Sequence, residues 1–252
     1  MITTQFKDNV LFRRYEFKYL IKNKTALEIK NQAKKFMLLD SFASKAKDKS
    51  YFVRSLYFDN DEYHNFYDKA DGIRSRKKFR LRTYSDKLSK TSKVFLEIKG
   101  RHLDRTFKER TKVEPDHLEL FYDNRNLMKL LDLYPNNNLI KDFAYNYYKK
   151  NIKPKVLIDY KRQPFVSKFG LYFRLTFDDN LYSSRNKSLF KTSSFLPKLN
   201  TYPGFTILEL KFDRSIPTWF LRIIQSQNLM RKSISKFVLG ICKCNLAQET
   251  SD

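Results

Sequence analysis

Apolar and polar residues alternate over eight stretches: Arg13–Ile21, Tyr51–Asp59, Lys78–Ser85, Lys93–Gly100, Thr106–Val113, Lys155–Arg162, Leu171–Asp178 and Phe205–Phe212. A period of two marks strands with one buried face. A helical period takes over at Lys24–Leu38, Pro115–Leu133, Asn138–Lys149 and Pro217–Leu229. Pro115 and Pro217 suit a first helical turn, where a missing N–H costs nothing. The apolar run Ile234–Cys242 predicts a further helix, and Asn60–Asp71 a short helical or turn insert. Lys87–Ser92 and Tyr182–Asn200 read as polar loops. Helices do not alternate regularly with strands, which argues against a doubly wound parallel sheet. Mostly antiparallel pairing with peripheral helices fits better. Lys93–Gly100 and Thr106–Val113, joined by Arg101–Arg105, read as a hairpin. No low-complexity linker divides residues 1–252, so a single domain is expected.

The polar faces of these strands are unusual. Arg14, Glu16 and Lys18 share one face, and Tyr15, Phe17 and Tyr19 the other. Lys78, Arg80 and Arg82 form a second such face, Glu97 and Lys99 a third, and Lys108, Arg110 and Lys112 a fourth. Arg174 opposes Phe173 and Leu175, and Glu209 and Lys211 oppose Leu208 and Leu210. An ordinary antiparallel sheet with a solvated outer face also alternates. Such faces usually mix Thr, Ser, Gln and Glu, whereas these are dominated by Arg and Lys. Glutamate stands two residues before lysine at Glu16/Lys18, Glu97/Lys99 and Glu209/Lys211. About eight such strands can close into a barrel with the charged faces inward. Inward cations would repel one another strongly unless a polyanion sat among them. The glutamates would then hold a divalent metal that bridges phosphate oxygens.

Composition supports a folded, cation-rich chain. Of 252 residues 41% are hydrophobic, including 23 Phe and 16 Tyr, enough for an aromatic core and against global disorder. Lys and Arg number 51 against 27 Asp and Glu, a net charge of +24, which attracts polyanions. A base-composition bias in the source genome would also enrich Lys, Asn, Phe and Tyr. Cys242 and Cys244 are too close for an unstrained disulfide, and two thiols make no structural zinc site. They read as thiols of a reducing compartment. Met1–Val10 carries no signal-peptide h-region, and no apolar run is long enough to span a membrane.

At this point nine blocks, in order, resemble the VTC (vacuolar transporter chaperone) catalytic domain, the polyphosphate polymerase branch of the CYTH-like triphosphate tunnel metalloenzymes. They are RRYEFKYLI (13–21), VRSLYFDN (53–60), KFRLRTY (78–84), VFLEIKGR (94–101), FKERTKV (107–113), DYKRQPFV (159–166), FRLTFDDN (173–180), ILELKF (207–212) and SKFVLGI (235–241). Together they cover roughly Phe12 to Ile241. The resemblance implies an α+β fold: an eight-stranded, mainly antiparallel β-barrel tunnel with peripheral helices. It implies transfer of the γ-phosphoryl of ATP to a growing inorganic polyphosphate chain, with Mn²⁺ or Mg²⁺. The implied phosphate-binding residues are Lys18, Arg80, Arg82, Lys99, Lys108, Arg162, Arg174 and Lys236. Of these Arg80, Arg82, Lys99, Arg162 and Arg174 would act on the transferring group. Glu209 is the implied metal ligand, with Arg110 and Lys211 as helpers on the same faces.

This chain departs from the family's pattern in places. Arg14 stands where the wider superfamily often has a first glutamate. Ser233, beside Lys232, occupies a position where the family has a second lysine. Arg162 breaks the parity of its strand, since strict alternation puts Ile158 and Tyr160 beside it; a bulge near Lys161 or exposure at a tunnel mouth would reconcile this.

Other chemistry finds little footing. His64, His102 and His117 are scattered, and the glycines form no phosphate-cradling loop. Trp219 reads as a packing anchor, Tyr145–Tyr148 as core and helix surface, and Lys187–Lys198 as a surface loop. Two rival functions remain: a tunnel triphosphatase hydrolysing tripolyphosphate or NTP, and a non-catalytic polyphosphate-binding module. Nucleic acid is not expected as a partner, because the aromatics alternate away from the basic faces. A cytoplasmic location follows, with room for a membrane-protein partner at the inner face of a membrane.

Overall fold

The computed structural model describes residues 15–103, 105–170, 172–191 and 196–248. Arg13, Arg14, Asp104, Leu171, positions 192–195 of the Lys187–Lys198 loop and the Met1–Val10 stretch lie outside them. In chain order the elements are β1 (Tyr15–Lys22), α1 (Asn23–Ala33), β2 (Met37–Leu39), α2 (Ser41–Lys45), β3 (Tyr51–Asp59), α3 (His64–Ala70), β4 (Arg76–Thr83), β5 (Val94–His102) and β6 (Arg105–Val113). Two 3₁₀ turns follow, Pro115–Phe121 and Asn124–Asn126, then α4 (Leu127–Leu133), α5 (Asn138–Lys150), β7 (Lys153–Ser167), β8 (Phe173–Ser184), β9 (Leu199–Asn200), β10 (Phe205–Phe212), α6 (Thr218–Ser226) and α7 (Lys236–Lys243).

The chain groups into two compact units. The first takes residues up to Ser50, Gln163–Asp178 and Gly204–Ser233. Within it β1 pairs antiparallel with β10, β10 with the first half of β8, and β2 with the end of β7. Its core gathers Tyr19, Ile21, Ile29, Phe165, Leu175, Phe177, Leu208, Leu210 and Phe220. Phe36 stacks on Trp219 at 4.5 Å, so Trp219 is the packing anchor expected.

The second unit takes Tyr51–Arg162, Asp179–Pro203 and Ile234 onward. Here β7, β3, β4, β5 and β6 pair side by side, all antiparallel, and β9 pairs with β8. One face of this sheet carries Leu56, Phe58, Phe79, Leu81, Leu96 and Ile98, packed with Leu118, Phe121, Leu130, Ile140 and Phe143 from the helical segments. A fully buried side chain of this size stabilises by about 1.5–3 kcal/mol. Arg54 and Asp159, direct register partners, form a buried bidentate ion pair at 2.8 Å on the same side. Lys198 also reaches Asp159.

Strand type and order follow the alternation, and the antiparallel α+β sheet stands as expected. The differences have local causes. The helix expected to run to Leu38 stops at Ala33, because Met37–Leu39 pairs with Phe165–Ser167. The helix expected over Pro115–Leu133 breaks at Asp123, whose carboxylate accepts from the Arg125 backbone N–H; such a local bond competes with the helix. The β5–β6 turn is tighter than Arg101–Arg105, since His102 already pairs with Arg105 and Leu103 takes φ 54°. No bulge lies near Lys161: register is unbroken from Tyr51↔Arg162 to Tyr57↔Val156, and the shift falls between Tyr57 and Phe58. The described strands number ten rather than eight, two of them very short. Among the described residues no ladder joins β1 to β6.

Candidate functional site

The face of the second unit's sheet opposite its core is a grid of cations. Register sets Lys78, Lys99 and Lys108 side by side on β4, β5 and β6. The next row is Tyr57, Arg80, Glu97 and Arg110, and the next Ser55, Arg82, Phe95 and Lys112. Like charges directly opposite one another across strands destabilise a sheet. Glu97, wholly buried, partly offsets this. Arg80 donates to its Oε2 from Nε at 2.8 Å and from Nη2 at 2.6 Å. Lys108 Nζ lies 2.9 Å from Oε1, and Arg82 Nη1 3.7 Å from Oε2. Burial would raise the Glu97 pKa; Arg80, Arg82 and Lys108 outweigh it and hold it down at about 2. The Lys108 pKa is lowered, by burial first and then by Arg80 and Arg82, against the pull of Glu97.

The remaining guanidinium donors are set by hydroxyls. Arg80 Nη1 donates to Tyr57 Oη at 2.8 Å. Arg82, 6% exposed, donates to Ser55 Oγ at 3.0 Å and to Tyr160 Oη at 3.3 Å. Arg162 shares the Tyr160 face, as strict alternation requires, its guanidinium 5.3 Å from that ring. Arg110 lies 4.9 Å over Phe95. Helix α7 packs on this face: Gly240 brings it against Val156 and Ile158, and Phe237 meets Tyr57 at 5.3 Å. Lys236, its first residue, lies 4.9 Å over Tyr160, and Lys78 donates to Ser235 Oγ at 3.4 Å. The six implied phosphate residues of this unit (Arg80, Arg82, Lys99, Lys108, Arg162, Lys236) and the helper Arg110 therefore belong to one face and the helix upon it.

The first unit has its own cluster. Register aligns Glu16 with Lys211 and Arg174, and Lys18 with Glu209 and Thr176. Lys18 bonds Glu16 at 2.9 Å, and Lys211 sits 3.0 Å from Glu209 and 3.7 Å from Glu16. Arg174 donates to Asp40 at 3.0 Å. Burial would lower the Lys18 pKa, but Glu16, Glu209 and Asp178 outweigh it and the net shift is upward. Two of the three Glu/Lys doublets thus close on themselves, at Glu16/Lys18 and Glu209/Lys211, while Glu97 reaches across strands.

Among the described residues no group of three or more His, Cys, Asp or Glu could cage a metal ion. Glu209, 5% exposed, still fits a cation that takes most of its ligands from phosphate and water, as Mg²⁺ commonly does.

Sequence reasoning missed Tyr57, Tyr160, Ser55, Asp40 and Asp178. It also held that aromatics alternate away from the basic faces. In the structure Tyr57, Phe95 and Tyr160 lie on the charged face instead. Tyr57 and Tyr160 are buried at 5% and 2% exposure, so they offer no open stacking platform.

An antiparallel α+β sheet with Arg- and Lys-lined faces around buried carboxylates defines a protein built for anionic ligands. The chain belongs to the VTC domain family, whose model matches residues 13–245. No curated protein matches it. Among solved structures, the PH1819 protein of Pyrococcus horikoshii OT3 is 11% identical with TM-score 0.45, over 90% of this chain and 97% of that one. HpAC1 of Hippeastrum, described as having a dominant triphosphatase activity, is 10% identical with TM-score 0.49, over 91% and 97%.

Proposed function

We propose that this chain, as a single VTC-type domain, is a metal-dependent polyphosphate polymerase that transfers the γ-phosphoryl of ATP to a growing inorganic polyphosphate inside a basic tunnel. The observation that carries the reading is the cationic grid that β4, β5 and β6 gather around the buried Glu97. Phosphate oxygens are the partners that such a face suits. Arg80, Arg82, Lys99, Arg162 and Arg174 neutralise the transferring group, and Lys18, Lys108, Arg110, Lys211 and Lys236 bind the chain. Glu209 would hold Mn²⁺ or Mg²⁺, and the ion would supply charge neutralisation at the leaving phosphate. Catalysis of this kind is positioning and electrostatics. A phosphate acceptor is already ionised, so no strong general base is needed, in keeping with the lack of a His or Cys nucleophile in either cluster. The reading includes a cytoplasmic setting and leaves room for a membrane-protein partner; no described helix is long and apolar enough to cross a membrane.

The test is the purified protein with ATP and Mn²⁺ or Mg²⁺, with products resolved on a gel. A ladder of long polyphosphate supports the polymerase. Free phosphate alone makes it a triphosphatase, and tight polyphosphate binding without turnover makes it a binding module.

A further inference from the structure

We propose that Tyr57 is a phosphate-contacting residue whose oxygen holds Arg80 while its hydroxyl proton goes to the bound phosphoryl group. The inference rests on the function above and adds a residue to it. Tyr57 Oη accepts from Arg80 Nη1 at 2.8 Å, while the other edge of Arg80 forks onto Glu97. A phenol that accepts one bond still has its own proton to donate. The groups around it are mostly donors. Lys78, Arg80 and Arg82 of β4 act on it directly, Lys108 of β6 sits on Glu97 beyond Arg80, and Lys236 of α7 lies over Tyr160. The acceptors are Glu97 on β5, already receiving Arg80 and Lys108, and Tyr160 on β7, already receiving Arg82. Phe237 fixes the Tyr57 ring from α7. A phosphate oxygen entering this nest meets the phenol as one more donor.

The charge state changes with it. Without ligand, burial would raise the Tyr57 pKa, yet Arg80, Arg82 and Lys78 outweigh it and bring it to about 7. An arriving polyanion adds negative charge and an acceptor, and both favour the neutral phenol. Above neutral pH binding therefore takes one proton from solvent: phenolate plus H⁺ becomes an O–H bonded to a phosphate oxygen.

The test titrates metal-free protein, in EDTA, with inorganic tripolyphosphate by calorimetry, for the parent and Tyr57→Phe, at about pH 6 and about pH 9. Two buffers of different ionisation heat report proton uptake, and near-ultraviolet absorbance reports tyrosinate. At the lower pH the variant should bind roughly tenfold more weakly, having lost a bond to a charged group. At the higher pH the order should reverse, because the parent's phenolate repels the ligand. A purely structural role would not produce that crossing. The parent should also lose tyrosinate absorbance on binding, a readout that needs no variant. Parallel pH profiles with no proton uptake would overturn the role of Tyr57 and leave the polyphosphate reading intact. A parent that ignores tripolyphosphate would sink both.

Discussion

Glu97 shows how one side chain can organise a site. It is wholly buried, and Arg80, Arg82 and Lys108 all lie on it. Glu97→Gln should cost about 3–5 kcal/mol of stability, because removing one partner strands the others. Denaturant unfolding of the variant measures it. The same carboxylate makes the fold acid-sensitive. Its pKa is depressed in the folded state from 4.5 to about 2, so the folded form binds fewer protons than the unfolded. Its stabilising contribution is complete above 4.5 and is lost as pH falls from there through about 2. Glu97→Gln should abolish that part of the pH dependence. On the functional side, Arg80→Ala and Arg82→Ala should each weaken ATP binding roughly tenfold or more. Glu209→Gln keeps the size and removes the charge, and should abolish metal-dependent turnover while the protein still folds. Full turnover of that variant at saturating metal would remove Glu209 from the mechanism.

At the level of elements, alternation located the strands because a half-buried strand writes its burial pattern directly into sequence. It could place Arg80 and Arg82 on the face of Lys78, since parity within a strand needs no partner. It could not reveal Tyr57 or Tyr160, because tyrosine counts as apolar in such a pattern and only cross-strand register brings them to the arginines. Asp40 was out of reach for another reason: it meets Arg174 across 134 residues. Arg162 breaks the parity of its strand only if Ile158 and Tyr160 are put on the apolar face; Tyr160 and Arg162 both belong to the charged face. Helix α7 depends on the close approach at Gly240, where an added Cβ would lie 2.8 Å from Ile158 Cδ1 and 3.1 Å from Val156 Cγ2. Ile158 Cδ1 can swing aside, so Gly240→Ala should cost about 1 kcal/mol. Gly240→Leu should overpack the contact, at about 3 kcal/mol, and displace Lys236 and Phe237. Thermal melts with a tripolyphosphate titration would separate the two effects; unchanged binding by Gly240→Leu would show that α7 does not shape the site.

Across the whole molecule, a charge of +24 guarantees attraction to any polyanion, so selectivity must come from access. Arg80 and Arg82 have side chains only 13% and 7% exposed; under the proposed reading a thin phosphate chain reaches them and a duplex does not. Polyphosphate should therefore outcompete duplex DNA at equal phosphate concentration and moderate salt. Duplex held by surface lysines alone should dissociate steeply as salt rises. Displacement of labelled polyphosphate by DNA would contradict the reading.

The cationic grid also has a history in time. Strands β4, β5 and β6 are consecutive and close through short connections, which form quickly. Glu97 and its cations thus meet early, from neighbours in sequence. The Lys78–Ser235 bond spans 157 residues and Arg54–Asp159 spans 105, distances that close slowly. In that order of events a meander of lysines and arginines, with Glu97 on its charged face, would precede the docking of α7. Polyphosphate present during refolding would fill that gap. It should speed the late phase, with β4–β6 amides protected first and α7 amides last in pulsed hydrogen exchange. If the proposed activity holds, the chain that this protein extends would then also help to assemble it.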